Sequence, residues 1–266
     1  MMKMNRVLIA ALTLSAVIAT GCKKESARNG AETGNGTLAR LIPAVSGTVS
    51  GTVHFTGKAP ERIPIDMSQD PACTIGSAAP NLSEQYIVSG AKADQHLANV
   101  FIYVRSGLNG KTYAAPVTPV VLDQKGCRYT PHVIGVAVGQ PVEFRNSDPT
   151  MHNIHTMPIE VAGAGGNKEI DISQAPMGQP QQAVFTHAEN MMSVRCNNHP
   201  WMNAFINVAD SPFFAVSDAE GHFTITGLPP GTYTLEAVHE KLGEQTATVT
   251  VTAQTTTDAA FTFPMK

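Results

Sequence analysis

Cys196-Asn197-Asn198-His199-Pro200-Trp201-Met202 places a thiol, an imidazole and a thioether within one short stretch, spaced C-x2-H-x2-M. A thiolate and a thioether are soft donors, and an imidazole suits copper. One Cys and two His with a weak axial Met make up a type 1 copper set. The stretch holds only one His, so the second must come from elsewhere. Upstream, Asn146-Ser147-Asp148-Pro149-Thr150-Met151-His152-Asn153-Ile154-His155 offers two. C-x2-H-x2-M is a short pattern. Its competing reading is a buried structural Cys beside a surface His, because free Cys packs as a small hydrophobe. Position argues against chance, since the motif ends one strand-like run and a His-Asn pair follows another.

On these residues, roughly Val117 to Asp210 resembles a cupredoxin. In that family a His-Asn pair after a strand supplies the first ligand. C-x2-H-P-aromatic-M is similar to the short ligand loop of the amicyanin type. The run from Cys127 to Phe144 resembles the P-x4-V-x2-G-x2-V-x-F-x-N segment that leads to that first ligand. The resemblance implies one type 1 copper held by His152, Cys196, His199 and Met202. It also implies that Asn153 hydrogen-bonds near the Cys loop and holds the two ligand segments together, a supporting role outside the ligand set. Pro200 stiffens the loop, and Trp201 either packs beside the site or forms a partner-docking face. His155 is the rival to His152. Three residues apart on a strand, the two point to opposite faces, so one is a bystander. His132, His187, His222 and His239 are assigned no role.

Outward from the motif, the 266 residues suffice for one large or two ordinary domains. The chain is 42% hydrophobic and 15% charged, and Gly and Pro are plentiful. Val/Thr-rich runs recur between turns, and no amphipathic pattern of helical length follows residue 21, which predicts an all-β protein. Thr48, Ser50, Thr52 and His54 alternate with Val49, Gly51, Val53 and Phe55 as in a half-buried strand. Asn99 to Val104 reads as an apolar strand.

The C-terminal part carries Gly221-His222-Phe223-Thr224-Ile225 and Leu228-Pro229-Pro230-Gly231-Thr232-Tyr233-Thr234-Leu235. These stretches resemble carboxypeptidase regulatory-like domains, which are small transthyretin-like β-sandwiches. The G-x-V and "anV-x-V" strands that precede them in that family match Gly47 to Phe55 and Asn99 to Val104, on the far side of the copper motifs. The resemblances together imply a Greek-key cupredoxin sandwich, 116–210, inserted into a regulatory-like sandwich made of 46–115 and 211–266. Insertion is tolerated where chain ends lie close together at a surface. The alternative is a tandem arrangement with the N-terminal strands in an enlarged cupredoxin. Met157 to Pro180, rich in Gly and Pro, is expected to be a long loop.

Residues 1–21 read as a targeting segment, with Lys3 and Arg6 before an apolar run too short to span a bilayer comfortably. Ala19-Thr20-Gly21-Cys22 resembles a bacterial lipobox, although Ala19 stands where Leu is commoner. It implies cleavage before Cys22, lipidation of that thiol, and, from Lys23 rather than Asp, the outer membrane of a Gram-negative envelope. The alternative is an ordinary secretory signal, which also leads out of the cytoplasm. Residues 22–45 lack apolar periodicity and read as a flexible tether.

Cys22 aside, three of the four cysteines remain, and in an oxidising compartment two can pair. If Cys73 pairs with Cys127, Cys196 is left for metal; any other pairing would remove the ligand. Loss of Lys3 and Arg6 shifts the formal charge from −3 to about −5. No basic cluster suggests nucleic acid. Mild acidity suits a basic redox partner protein in the envelope, and equally suits mere solubility.

The leading function is therefore one-electron transfer by a membrane-anchored copper protein, not an enzyme. A multicopper oxidase needs repeated H-x-H pairs, and a copper nitrite reductase needs a second copper site between domains; neither set is evident. The alternatives are a surface-binding module recognising a glycan or envelope protein, or copper storage and delivery, kept open by Met151, Met157, Met191 and Met192. Fold alone does not choose among them.

Overall fold

The structure, a computed structural model, describes residues 39, 45–75, 79–159 and 165–265. The targeting segment, Cys22 and nearly all of the 22–45 tether lie outside the described residues. Among those described, no helix is long and apolar enough to cross a membrane.

The protein is all-β. In chain order the elements are β1 (Gly47–Thr56), a one-turn helix α1 (Pro71–Thr74), β2 (Val88–Ala91), β3 (Asp94–Leu97), β4 (Phe101–Ser106), β5 (Val120–Gln124), β6 (Tyr129–Thr130), β7 (Val133–Ala137), β8 (Pro141–Asn146) and β9 (His152–Met157). They continue with β10 (Asp171–Gln174), β11 (Gln181–Val184), β12 (Glu189–Arg195), β13 (Asn203–Ala209), β14 (Phe214–Val216), β15 (His222–Leu228), β16 (Gly231–His239), β17 (Gly243–Val251) and β18 (Thr256–Pro264).

Four sheets stack in pairs. Strands from the two ends of the chain share the outer sandwich: β15-β1-β3-β2, with β18 parallel to β1, faces β14-β4-β16-β17. The middle of the chain makes the other: β10-β9-β12-β13-β7 faces β11-β8-β5-β6. Each sandwich has its own apolar core. Val49, Val53, Phe55, Phe101's neighbour Ile102, Leu235 and Phe263 fill the outer one; Leu122, Phe144, Ile154, Met192 and Ile206 fill the inner one. Strand periodicity sorts the side chains. In β1, Val49, Val53 and Phe55 are buried while Thr48, Ser50, Thr52 and His54 face outward. Burying each such Val, Leu or Phe stabilises the fold by about 1.5–3 kcal/mol.

Gly51 shows how tightly β18 is laid on β1. A Cβ there would stand 1.6 Å from the Ala259 carbonyl oxygen, so only glycine admits the strand. The sandwiches meet through Gly135 on β7, whose missing side chain leaves room for the rings of Phe101 and Phe214. Beside them, His132 Nε2 lies 2.6 Å from Glu240 Oε1, both side chains buried. Asn190 donates to the Tyr103 hydroxyl across the same seam.

Two expectations change. The 157–180 stretch is not all loop: Asp171–Gln174 forms an edge strand on β9, in register from Asp171 opposite His155 to Gln174 opposite His152. Its polar alternation carries too little apolar signal to read as a strand without its partner. Met67 and Cys73, within the 46–115 stretch assigned to the outer sandwich, pack instead in the inner core. Cys73 and Cys127 form a disulfide. Both of its ends lie in that inner core, so the bridge fastens a strap against the inner sandwich rather than joining two cores.

Candidate metal centre

Two strand ends carry the donors. β9 begins at His152 and its alternation turns His152, Ile154 and Thr156 inward. β12 ends at Arg195, and the chain then turns through 196–202 before β13. The Met202 N–H donates to the His199 carbonyl at 2.9 Å, closing that turn. Pro200 stands inside it, where it has no N–H to satisfy.

The turn brings Cys196 and His199 against His152. The two Nδ1 atoms are 2.9 Å apart, and Cys196 Sγ is 3.5 Å from His199 Nδ1. His152, Cys196 and His199 are all buried, at 0%, 4% and 3% exposure. Met202, 1% exposed, follows in the same core as Cys196. The structure thus gathers the His-Cys-His set at one point.

His155 stays out of it. On the other face of β9 its Nδ1 bonds Asn197 Oδ1 at 2.8 Å and its Nε2 meets Glu169. Asn153 bonds the Cys loop through its main chain and not its side chain. As the neighbour of a ligand on a strand it points away from the site, and its side chain donates to Ser173 on β10. Its main-chain N–H makes the contact with the Cys loop, 3.3 Å from Cys196 Sγ. Asn197, which no motif marked, latches the ligand loop to both His155 and Asp171. Trp201 tilts against the His199 ring at 5.0 Å between centroids and donates its indole N–H to the Cys127 carbonyl. It packs beside the site.

Two aspartates complete the centre. Asp148 Oδ2 lies 2.9 Å from His152 Nε2, and Asp70 Oδ2 lies 2.9 Å from His199 Nε2. Burial would push Asp148 up, but His152 and the main-chain N–H groups of Cys127 and Gly126 outweigh it and hold its carboxyl below the usual range. His199 and the Ala72 N–H do the same for Asp70. Ionised carboxylates only accept, so each imidazole must donate from Nε2. In the neutral, metal-binding form of each ring that fixes the tautomer and leaves Nδ1 as the free nitrogen on the Cys196 side, the arrangement by which second partners orient metal-bound histidines.

The protein's own groups also set the protons. Burial opposes charge on His152, yet Asp148 and Cys196 hold it up to about 9. Burial likewise opposes the Cys196 thiolate, but His152, the N–H groups of Asn153 and Asn198, and His199 bring it down to about 6. The thiolate that a soft metal requires is therefore present at neutral pH.

The donor chemistry fits copper. Thiolate and imidazole suit copper, and Met202 adds a thioether, a soft donor that copper also takes, to the same core. The neighbouring groupings of Asp70, Cys73 and His199, and of Cys127, Asp148 and His152, offer no thiolate because both cysteines are in the disulfide.

Residues 194–264 match the family model for the carboxypeptidase regulatory-like domain. Its first residues run through the ligand loop and β13 of the inner sandwich, while the remainder covers β14–β18 of the outer one. No curated protein matches the chain. Similar solved structures are cupredoxins. The Cu-containing nitrite reductase (NirK) from Thermus scotoductus SA-01 is 23% identical over 37% of this chain, with a TM-score of 0.31. This chain spans only 24% of that enzyme. A methionine-to-alanine mutant of amicyanin in its Cu(I) form is 21% identical, over 40% of this chain and 97% of its own, at TM-score 0.29. The purple cupredoxin from Nitrosopumilus maritimus is 22% identical, over 34% and 99%, at 0.27. TM-scores this low carry no argument about the metal; the structure itself shows a His-Cys-His set that could hold one.

Proposed function

We propose that the inner sandwich is a type 1 copper protein that carries single electrons, with His152, Cys196, His199 and Met202 as the residues that would hold the metal. The observation that carries it is the convergence of both Nδ1 atoms on a buried thiolate, with each Nε2 held by a carboxylate. Copper there would shuttle between Cu(II) and Cu(I). The protein's part is to hold the donors still, keep Cys196 deprotonated and keep water out. No proton need move, and no substrate pocket is required, which favours a carrier over an enzyme.

Burial of Cys196 and His199 favours retention of the metal over storage and delivery, which need an exposed site for exchange. On the lipobox-like sequence, we further propose that Cys22 is lipidated and that the tether holds the protein to a bacterial envelope membrane, within reach of a redox partner protein there.

Titration with Cu(II), followed by visible absorption and EPR, tests the copper reading. One equivalent is expected to give an intense thiolate-to-copper band with narrow hyperfine splitting, and Cys196→Ala to abolish both. Freshly reduced protein that stays colourless would remove the electron-transfer reading and leave the surface-binding one.

A further inference from the structure

The outer sandwich carries a second histidine cluster, which no sequence motif unites. His54 on β1 and His96 on β3 are direct cross-strand partners on the outward face, their ring centroids 5.4 Å apart. Asp94, two residues before His96, turns toward both. Its Oδ1 is 3.1 Å from His96 Nε2 and 3.6 Å from His54 Nδ1. The ligand atoms of all three lie within 4.8 Å of one another.

A further imidazole is brought near by the turn between β14 and β15. Asp218 Oδ1 accepts from the N–H groups of Glu220 and His222, and the Gly221 N–H returns to the Asp218 carbonyl. Gly221, at φ +76°, sits so close that a Cβ would stand 2.8 Å from the His96 Cβ. The turn is thereby seated on His96, and the His222 ring comes within 6.2 Å of the His96 ring. This approach is built by backbone, not by chance overlap of long side chains.

We propose that His54, Asp94 and His96, with His222 as the fourth donor, form a surface site for a divalent cation of the copper–zinc class, Cu(II) foremost. Imidazole suits these metals, and Cu(II) stands above its neighbours in affinity for nitrogen and oxygen donors. With no thiolate in the set, bound Cu(II) has no intense charge-transfer band and differs spectroscopically from copper at Cys196. The cluster is open to water, with side-chain exposures of 37% for His54, 70% for Asp94 and 20% for His96, so its metal exchanges readily.

The inference does not depend on the type 1 reading, and one titration separates them. The full chain is titrated with Cu(II) under EPR, and in parallel with Zn(II) by calorimetry. A second equivalent of Cu(II) is expected to add a wide-hyperfine signal with no strong visible band. His54→Gln/His96→Gln is expected to weaken it by at least the ~10–100-fold that loss of a mere supporting partner costs, leaving the first equivalent's signal in place. Cys196→Ala should remove the first signal and spare the second. His222→Gln, at a 61% exposed side chain, tests the site without disturbing the core and should also weaken the second signal. Thermal unfolding of the metal-free variants checks that each is folded. A titration of the full chain that yields no wide-hyperfine signal, or a wide-hyperfine signal that survives in His54→Gln/His96→Gln and His222→Gln alike, would overturn the proposal.

Discussion

The two sandwiches treat their histidines in opposite ways. The inner one buries His152 and His199 completely and gives each a carboxylate on its far nitrogen. The outer one displays His54, His96 and His222 on a sheet face, where a carboxylate sits among the donors rather than behind them. In the first case the donors are oriented before any metal arrives, and low dielectric strengthens what they hold. In the second, water competes for every donor. The same residue type thus makes a rigid buried centre in one core and an open cluster on the other.

The largest test of the separateness of the cores is Gly51→Ala. A Cβ meeting the Ala259 carbonyl must push β18 off β1, at roughly 3–5 kcal/mol. We expect a lowered unfolding midpoint with the copper band of the surviving folded protein unchanged in position. A shifted band would mean that the outer core controls the inner site.

Removing the strap's fastening comes next. Cys73→Ser/Cys127→Ser opens a loop of sequence separation 54 and should cost roughly 2–4 kcal/mol in denaturant unfolding. It should also loosen Asp70 from His199, so copper affinity falls together with stability. Unchanged affinity would show that α1 holds Asp70 without the bridge.

The two carboxylates sharpen the contrast further. Asp148→Asn should reduce copper affinity ~10–100-fold, because it loses the charge facing buried His152. Asp70→Asn, on a side chain 24% exposed, should fall at or below the lower end of that range. Equal losses, measured by competition with a chelator, would mean that burial of the carboxylate does not matter.

The smallest effect is protonic. With His152 up at about 9 and Cys196 down at about 6, the donors at pH 7–8 carry an imidazolium and a thiolate. Copper must then displace one proton, from His152. Below pH 6 the thiol is protonated too and release rises further; above pH 9 it falls toward zero. Calorimetry in buffers of different ionisation enthalpy reads this count, and a flat count between pH 5 and 10 would contradict it.

Much of this was legible in the chain. Cys196, His199 and Met202 declare themselves because a tight loop puts its donors close together in sequence. His152 stands out through its Asn neighbour, and alternating runs such as Val49 to Phe55 mark strands by their period. Other features were invisible. Asp148 lies one short loop before His152 and looks like an ordinary Asp-Pro turn. The motif marks Asn153 as a tie to the Cys loop but not which of its groups makes it: strand alternation sends the side chain to Ser173, and the main-chain N–H bonds Cys196.

The sequence by itself determined the all-β class and the soft donor set, since residue period and ligand chemistry are local properties. Tertiary structure decided what long-range packing alone can bring together. It seats Asp70 against His199 across a separation of 129 residues, and it folds Met67 and Cys73 into the inner core. It also gathers His54, His96 and His222 from three strands onto one face. Such meetings depend on strand order and register, and no stretch of sequence holds both partners.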